Sequence, residues 1–286
     1  MWTGSADTLP TARIAMLAPS LQPSELRVAE AIAADIEAAI EKTAQEVADQ
    51  VGVGRASVIR AAQSLGYDGY PQLRGALTRE LALGAPPMTD TADGTMRGAL
   101  HGAVDRVVGR LRHSVSAITE ESLQDFVRVV DESQRLVIAA NGLSSPLGLD
   151  LALRLMAAGR PAEYLSDTLG QQIAATHLGA GSACLVVTGS GANRSSLEVM
   201  QAAKQSGATV LAITYFPRSA AADLADITLV VAPIEDSFRD ELVHTSRAAL
   251  MLVTESLVGL LAARRGSTSA AAQSATLAVI SRSLSE

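Results

Sequence analysis

Twice in this 286-residue chain a nearly all-apolar run breaks into a Gly/Ser loop and leaves it as a helix. The first copy is Leu136-Val137-Ile138-Ala139-Ala140, then Asn141-Gly142-Leu143-Ser144-Ser145, then a helix opening at Pro146. The second is Cys184-Leu185-Val186-Val187, then Thr188-Gly189-Ser190-Gly191-Ala192-Asn193, then a helix to about Gln205. A strand that is apolar on both faces must be covered on both faces, which commits this half of the chain to a parallel α/β sheet. Glycine lets the backbone approach a ligand, and the N–H groups of a helix N-terminus attract an anion. Serine and threonine hydroxyls add donors suited to phosphate or sugar oxygens. Two such loops in one sheet imply one pocket for a small phosphorylated polyol.

The same alternation extends over residues 119–264 and predicts five strands, at 136–140, 162–165, 184–188, 209–213 and 227–231. Helices are predicted at 121–133, 146–158, 170–177 and 195–206, giving a doubly wound, five-stranded parallel sheet. Upstream the chain reads as all-helical. Leu26, Ala29, Ile32, Ala33 and Ile36 recur at helical spacing behind Pro23, a residue suited to the first helical position. Thr43-Ala44-Gln45-Glu46 has capping-box spacing; Val47 and Val51 of that helix face inward, and Gly52 ends it. Val53-Gly54 then turns into a helix over Arg55–Leu65, and Gly66 to Pro71 breaks the chain before a helix at Gln72–Leu83. The expected division is a helical domain over 10–84, a linker and connecting helix over 85–106, the α/β domain over 107–265 and a tail over 266–286. Gly84–Gly94 carries the turn-forming residues of the linker, a long helix is expected from Met96 to His113, and the Ser/Ala-rich tail suits a loose helix or an irregular end.

Composition removes several function classes. A net charge of −7 argues against a whole-protein nucleic-acid scaffold, so any DNA contact needs a local basic face. The single cysteine, Cys184, falls in a buried strand and offers neither a disulfide framework nor a zinc site. His101, His113, His177 and His244 have no metal-ligand spacing. Met1–Asp7 lacks the apolar core of a signal peptide, and Ala248–Ala263 is shorter than a membrane span of roughly 20 residues and carries Glu255. A cytoplasmic protein without a membrane partner, metal or cofactor is expected.

The local basic face lies on the helix at 55–65. Val58, Ile59, Ala62 and Leu65 share one side, and Ser57, Arg60, Gln63 and Ser64 gather on the other behind Arg55. Such a face carries the donors and acceptors that major-groove base edges and phosphates require, although an ordinary amphipathic helix has the same pattern. From Arg55 to Arg79 four arginines (Arg55, Arg60, Arg74, Arg79) face one acid, Asp68. The segment resembles the N-terminal domain of RpiR-type transcriptional regulators. The resemblance is carried by Pro23-Ser24-Glu25, Val28-Ala29, Ala44–Val51, Val53-Gly54, Ala56–Arg60, Leu65-Gly66-Tyr67, Gly69-Tyr70 and Leu73-Arg74. It implies a DNA-binding helix-turn-helix in which Ser57 and Arg60 occupy recognition-helix positions. Gly54 stands where a serine cap is usual, and Ala61-Ala62 where bulkier residues are common.

From about Val107 to Arg265 the chain resembles the sugar isomerase (SIS) domain that RpiR-type regulators carry. Ser144 matches the serine of the first SIS loop, and residues 188–193 match its Ser-x-Ser-Gly-x-Thr pattern, with Thr188 keeping a hydroxyl and Asn193 replacing threonine. Lys204, Gly207-Ala208 and Ser246-Arg247 are further matches. Ala140 stands where glycine is frequent. Gly142, Ser144, Ser145, Thr188, Ser190, Gly191, Asn193 and Glu241 form the candidate ligand set, with Ser145 suited first to an N-cap and Ser144 the better ligand candidate of the two. Arg194 suits either a phosphate contact or a solvated first turn. Asp167 has the spacing of a ribose-binding acid, but no G-x-G-x-x-G loop precedes it, so a nicotinamide cofactor is not expected. The combined resemblance implies a regulator whose operator binding responds to a phosphorylated sugar, acting as a homodimer or homotetramer on double-stranded DNA. The alternative is a sugar-phosphate isomerase on the same fold. Its base would be Glu241, flanked by Asp236 and Asp240, and one such acid is a weak catalytic signal.

Overall fold

The computed structural model describes residues 2, 4–83, 95–234 and 246–283. The linker over 84–94, and Glu241 with Asp236, Asp240 and His244, lie outside the described residues. The chain divides into two compact units, Met1–Ile118 with Val231–Ala249, and Thr119–Val230 with Leu250–Glu286.

The first unit is helical: α1 (Pro10–Leu17), α2 (Pro23–Ala34), α3 (Ile36–Glu41), α4 (Ala44–Val51), α5 (Arg55–Ser64), α6 (Tyr70–Leu83) and α7 (Met96–Leu111). Pro23 opens α2 as expected. The periodicity that ran through Ile36 is broken at Asp35, whose carboxylate accepts from the Ala38 N–H at 2.9 Å and starts a separate helix. A short acceptor side chain competes with the backbone for its own N–H groups and ends one helix while capping the next. The capping box of α4 is complete, with Thr43 Oγ1 accepting from Glu46 N at 3.3 Å and Glu46 Oε2 accepting from Thr43 N at 2.7 Å. Those bonds from Thr43 hold the Glu46 carboxyl below its usual range.

Val28, Ala29 and Ile32 of α2, Val47 and Ala48 of α4, and Val58, Ala61 and Ala62 of α5 pack into one core with Leu65, Tyr70, Leu73 and Leu77. The Leu65-Gly66-Tyr67 segment is fastened from the N-terminal side. Buried Arg13 has its guanidinium 4.7 Å from the Tyr67 ring centre and 5.0 Å from that of Trp2. It donates to the carbonyls of Ala6, Thr8 and Leu65 at 2.8, 3.1 and 3.2 Å. Tyr70 donates its hydroxyl to the Ala39 carbonyl at 2.7 Å. Residues up to Ile118 group with this unit, joined by Val231–Ile234 through Ala232 N to Ser114 O at 2.7 Å and Arg110 Nη1 to Ile234 O at 2.9 Å.

The second unit is a five-stranded, all-parallel sheet in the order β2-β1-β3-β4-β5. Its strands are β1 (Leu136–Ala140), β2 (Glu163–Tyr164), β3 (Ala183–Val187), β4 (Thr209–Thr214) and β5 (Ile227–Val230). The helices are α8 (Glu120–Glu132), α9 (Ser145–Ala157), α10 (Thr168–Thr176), α11 (Arg194–Gln205) and α12 (Ala220–Leu224), followed by α13 (Ala248–Arg265) and α14 (Ser267–Ser283). Every residue of β1 and β3 is buried, as an apolar run without alternation requires. Val137, Ala139, Cys184, Val186, Val210 and Ala212 face α10, α11 and α12. On the opposite face Leu185 lines a small apolar cavity together with Phe126 and Val130 of α8, Leu151 and Leu155 of α9, and Leu257 and Leu261 of α13. Burial pushes the Cys184 thiol up to about 12, so it is a packing residue and not a nucleophile. β2 is an edge strand of two residues, shorter than the predicted four, because only Val137 and Ile138 of β1 pair with it. Within the Ser/Ala-rich tail, Ser267–Ser283 form the regular helix α14. No helix among the described residues is long and apolar enough to cross a membrane.

Candidate DNA-reading helix and phosphosugar loops

In the helical unit, α4 and α5 are joined by Gly52-Val53-Gly54, the short turn of a helix-turn-helix. Along α5, Arg55, Arg60 and Gln63 are exposed and Ser64 is half-buried. Ser57 differs from its wheel position: it is 7% exposed, and its Oγ accepts from Arg60 Nη2 at 2.9 Å. Ala61 takes the inward place that the wheel gave to Ile59, which is half-buried. The small Ala61-Ala62 pair lets α5 lie close against α2 and α4, and both alanines are fully buried.

In the α/β unit, Ala140 of β1 and Val187 of β3 are in register, so the two Gly/Ser loops leave the sheet side by side at its carboxyl edge. From β1 the chain goes to β2 on one side, and from β3 to β4 on the other. Ligands of open α/β sheets bind at such a switch point. The first loop makes a short 3₁₀ turn over Gly142–Ser144, with Gly142 and Leu143 exposed and Ser144 buried. Helix α9 begins at Ser145, whose Oγ turns back to the Ala140 carbonyl at 3.3 Å and makes no N-cap bond.

The second loop is held by the segment after β4. Gly191 is left-handed, at φ +63°, and a Cβ there would lie 2.2 Å from Ser219 Oγ. The Gly191 carbonyl accepts from Ala221 N at 2.9 Å, and that of Gly189 accepts from Tyr215 N at 3.1 Å and Thr214 Oγ1 at 3.2 Å. Thr188 is buried at the base of this loop, while Ser190 is exposed at its tip, its Oγ accepting from Ala192 N at 3.3 Å. Asn193 is the N-cap of α11, its Oδ1 accepting from Ser196 N at 3.1 Å. Arg194 is 92% exposed on its side chain and paired with Glu198 at 2.9 Å. Asp167, spaced like a ribose-binding acid, caps α10 by accepting from Gly170 N at 2.6 Å.

Sequence reasoning passed over the residue that ties the first loop to α10 and to α11, the helix that the second loop opens into. Asn141 Nδ2 donates to Ser196 Oγ of α11 at 3.1 Å and to Gln171 Oε1 at 3.0 Å. Gln171, fully buried, anchors the cluster by donating to the Leu165 carbonyl at 2.8 Å. A polar Gln171 on the inward side of a helix at 170–177 was the available signal, because a buried amide must find partners. The assembled edge offers hydroxyls and the start of a twelve-residue helix, which suit the oxygens of a phosphorylated sugar.

Residues 9–84 match the helix-turn-helix domain of the rpiR family, and residues 130–258 match the SIS domain. The chain belongs to the RpiR family. Its two matched domains stand in the order that the sequence resemblance implied. Among solved structures, the RpiR-family fold is similar over 95% of this chain and 98% of the other to the Vibrio vulnificus NanR protein complexed with ManNAc-6P, at 21% identity and a TM-score of 0.59. The sugar isomerase domain of an RpiR transcription factor from Sphaerobacter thermophilus matches 63% of this chain and 96% of its own, at 18% identity and TM-score 0.53. A Listeria monocytogenes protein proposed to be a sugar-phosphate isomerase matches 60% of this chain and 92% of its own, at 21% identity and TM-score 0.50. At these identities the likenesses establish the fold.

Proposed function

We propose that this RpiR-family chain is a transcriptional regulator that binds double-stranded operator DNA through α5 and releases or tightens it according to a phosphorylated sugar held by loops 141–145 and 188–193. The observation that carries this is the meeting of two Gly/Ser loops at the β1/β3 switch point of a chain that also has a helix-turn-helix. NanR, complexed with ManNAc-6P, supports a sugar phosphate as the ligand class. Gly142, Ser144, Ser145, Thr188, Ser190, Gly191 and Asn193 are the proposed ligand-facing set, with Glu241 as an eighth member from the sequence. Arg55, Arg60, Gln63 and Ser64 are the proposed DNA contacts, supported by Ser57 from within.

The protein acts in the cytoplasm as a homodimer or homotetramer, because two recognition helices are needed to read two half-sites. The effector acts only through its unequal affinity for the DNA-competent and DNA-incompetent arrangements. It is bound and not converted, since isomerisation needs a positioned base–acid pair and Glu241 alone does not make one.

Thermal denaturation against a panel of phosphorylated sugars tests this. At least one sugar phosphate is expected to raise the unfolding midpoint, and a coupled assay on that sugar should show no product above background. Turnover that is lost in Glu241→Gln would favour the isomerase.

A further inference from the structure

Glu25 occupies the first turn of α2 with a side chain only 8% exposed, a place where a carboxylate is costly unless paired. Its partners both come from α5. Oε1 lies 3.5 Å from Arg60 Nε, and Oε2 accepts from Ser64 Oγ at 3.0 Å. Arg60 is held a second time by its Nη2 donating to Ser57 Oγ at 2.9 Å. The Nε–Nη2 edge of the guanidinium is therefore anchored to the protein, while the side chain stays 54% exposed. The opposite edge, Nη1 with the second hydrogen of Nη2, keeps the fork geometry that pairs with the O6 and N7 acceptors of guanine.

We propose that Glu25 is a positioning and specificity residue for DNA, which fixes the pose of Arg60 and offsets its charge so that Arg60 reads a base edge instead of gripping phosphates. The proposal rests on α5 being the DNA-reading helix. Attraction to phosphate is long-ranged and depends on uncompensated charge, so a carboxylate at 3.5 Å weakens it. A two-bond contact to a base depends on orientation, which the anchored edge supplies. The arrangement thus lowers affinity for arbitrary DNA more than affinity for a matching site, and the ratio of the two is what selects a site in a genome.

The test uses the full-length protein and a duplex selected by it from a random-sequence pool, against a scrambled duplex of the same composition. Glu25→Gln keeps the side-chain shape and an oxygen for Ser64, so the fold is preserved. It should tighten binding to the scrambled duplex several-fold and lower the selected-to-scrambled ratio by about tenfold. It should also steepen the dependence of log K on log salt by about 0.9 for one added phosphate contact. In an Arg60→Ala background the same substitution should change neither ratio nor slope. An unchanged ratio in Glu25→Gln, with a lowered ratio in Arg60→Ala, would overturn the role of Glu25 and leave α5 as the reader. Equal effects of Glu25→Gln in both backgrounds would also overturn it, since Glu25 would then act through the fold. An Arg60→Ala protein that discriminates like the parent, or a parent that selects no sequence, would remove α5 from the groove and the inference with it.

Discussion

Single atoms decide the shape of the second loop. Gly191 has both reasons to be glycine: a left-handed φ of +63° and a neighbour, Ser219 Oγ, that a Cβ would meet at 2.2 Å. Gly142 in the first loop has only the first, at φ +60° with open space around it. A left-handed backbone costs an L-residue roughly 1–2 kcal/mol, and Gly142→Ala should lose about that much stability. Gly191→Ala is expected to lose more and to abolish sugar-phosphate binding, because Ser219 and its helix must move. Removing only the hydroxyl, in Gly191→Ala/Ser219→Ala, should not rescue it, since Ser219 Cβ itself would lie 2.4 Å away. Thermal denaturation and calorimetric titration compare the three variants. Gly191 was legible in sequence as a loop glycine, but its tight neighbour was not, because Ser219 is 28 residues further along the chain.

Among the described residues, Asp131 and Glu132 of α8 and Arg264 and Arg265 of α13 form a shared ionic cluster. Asp131 accepts from Arg264 Nε at 2.9 Å and from Arg265 Nε at 2.5 Å, and Arg264 also reaches Glu132 at 2.6 Å. Burial opposes ionisation of Asp131 more than any other single influence, yet the hydrogen bonds and charges of Arg265 and Arg264 together hold its pKa below the ordinary 3.8. A carboxylate with a lowered folded pKa stabilises above its unfolded pKa and loses that contribution as pH falls through the folded value. Stability should therefore drop as pH is lowered below about 3.8, and Asp131→Asn should flatten that drop while lowering the unfolding midpoint at neutral pH. Denaturation followed across acid pH reads both effects. At this scale helix starts were the most legible features. The Thr43–Glu46 box and the Asn193 start of α11 depend on residues three apart, so local sequence carries them. The division between α2 and α3 at Asp35 was missed because apolar periodicity continues across it.

Across the whole molecule, DNA reading and ligand binding are proposed for separate units, each with its own core. Ser190→Asp should put a like charge against the effector phosphate and weaken its binding several-fold or more, while operator affinity without effector stays that of the parent. Calorimetry with the stabilising sugar phosphate, run beside a DNA titration, measures the two separately. Equal effector affinity in parent and variant would show that the second loop does not hold the phosphate.

Sequence alone determined the class of this protein: helices with a helix-turn-helix first, then a parallel sheet with two Gly/Ser loops, in the order of the RpiR family. Apolar periodicity, caps and short motifs act between near neighbours in the chain, so they survive in a one-dimensional reading. Tertiary structure decided which polar groups meet. It put Asn141 between Ser196 and Gln171, buried Ser57 behind Arg60, and set Glu25 against a helix that begins 30 residues later. Those partners are chosen by how helices and strands stack. A polar side chain that loses water must bond to whatever the packing brings within about 3 Å, and sequence distance has no part in that choice.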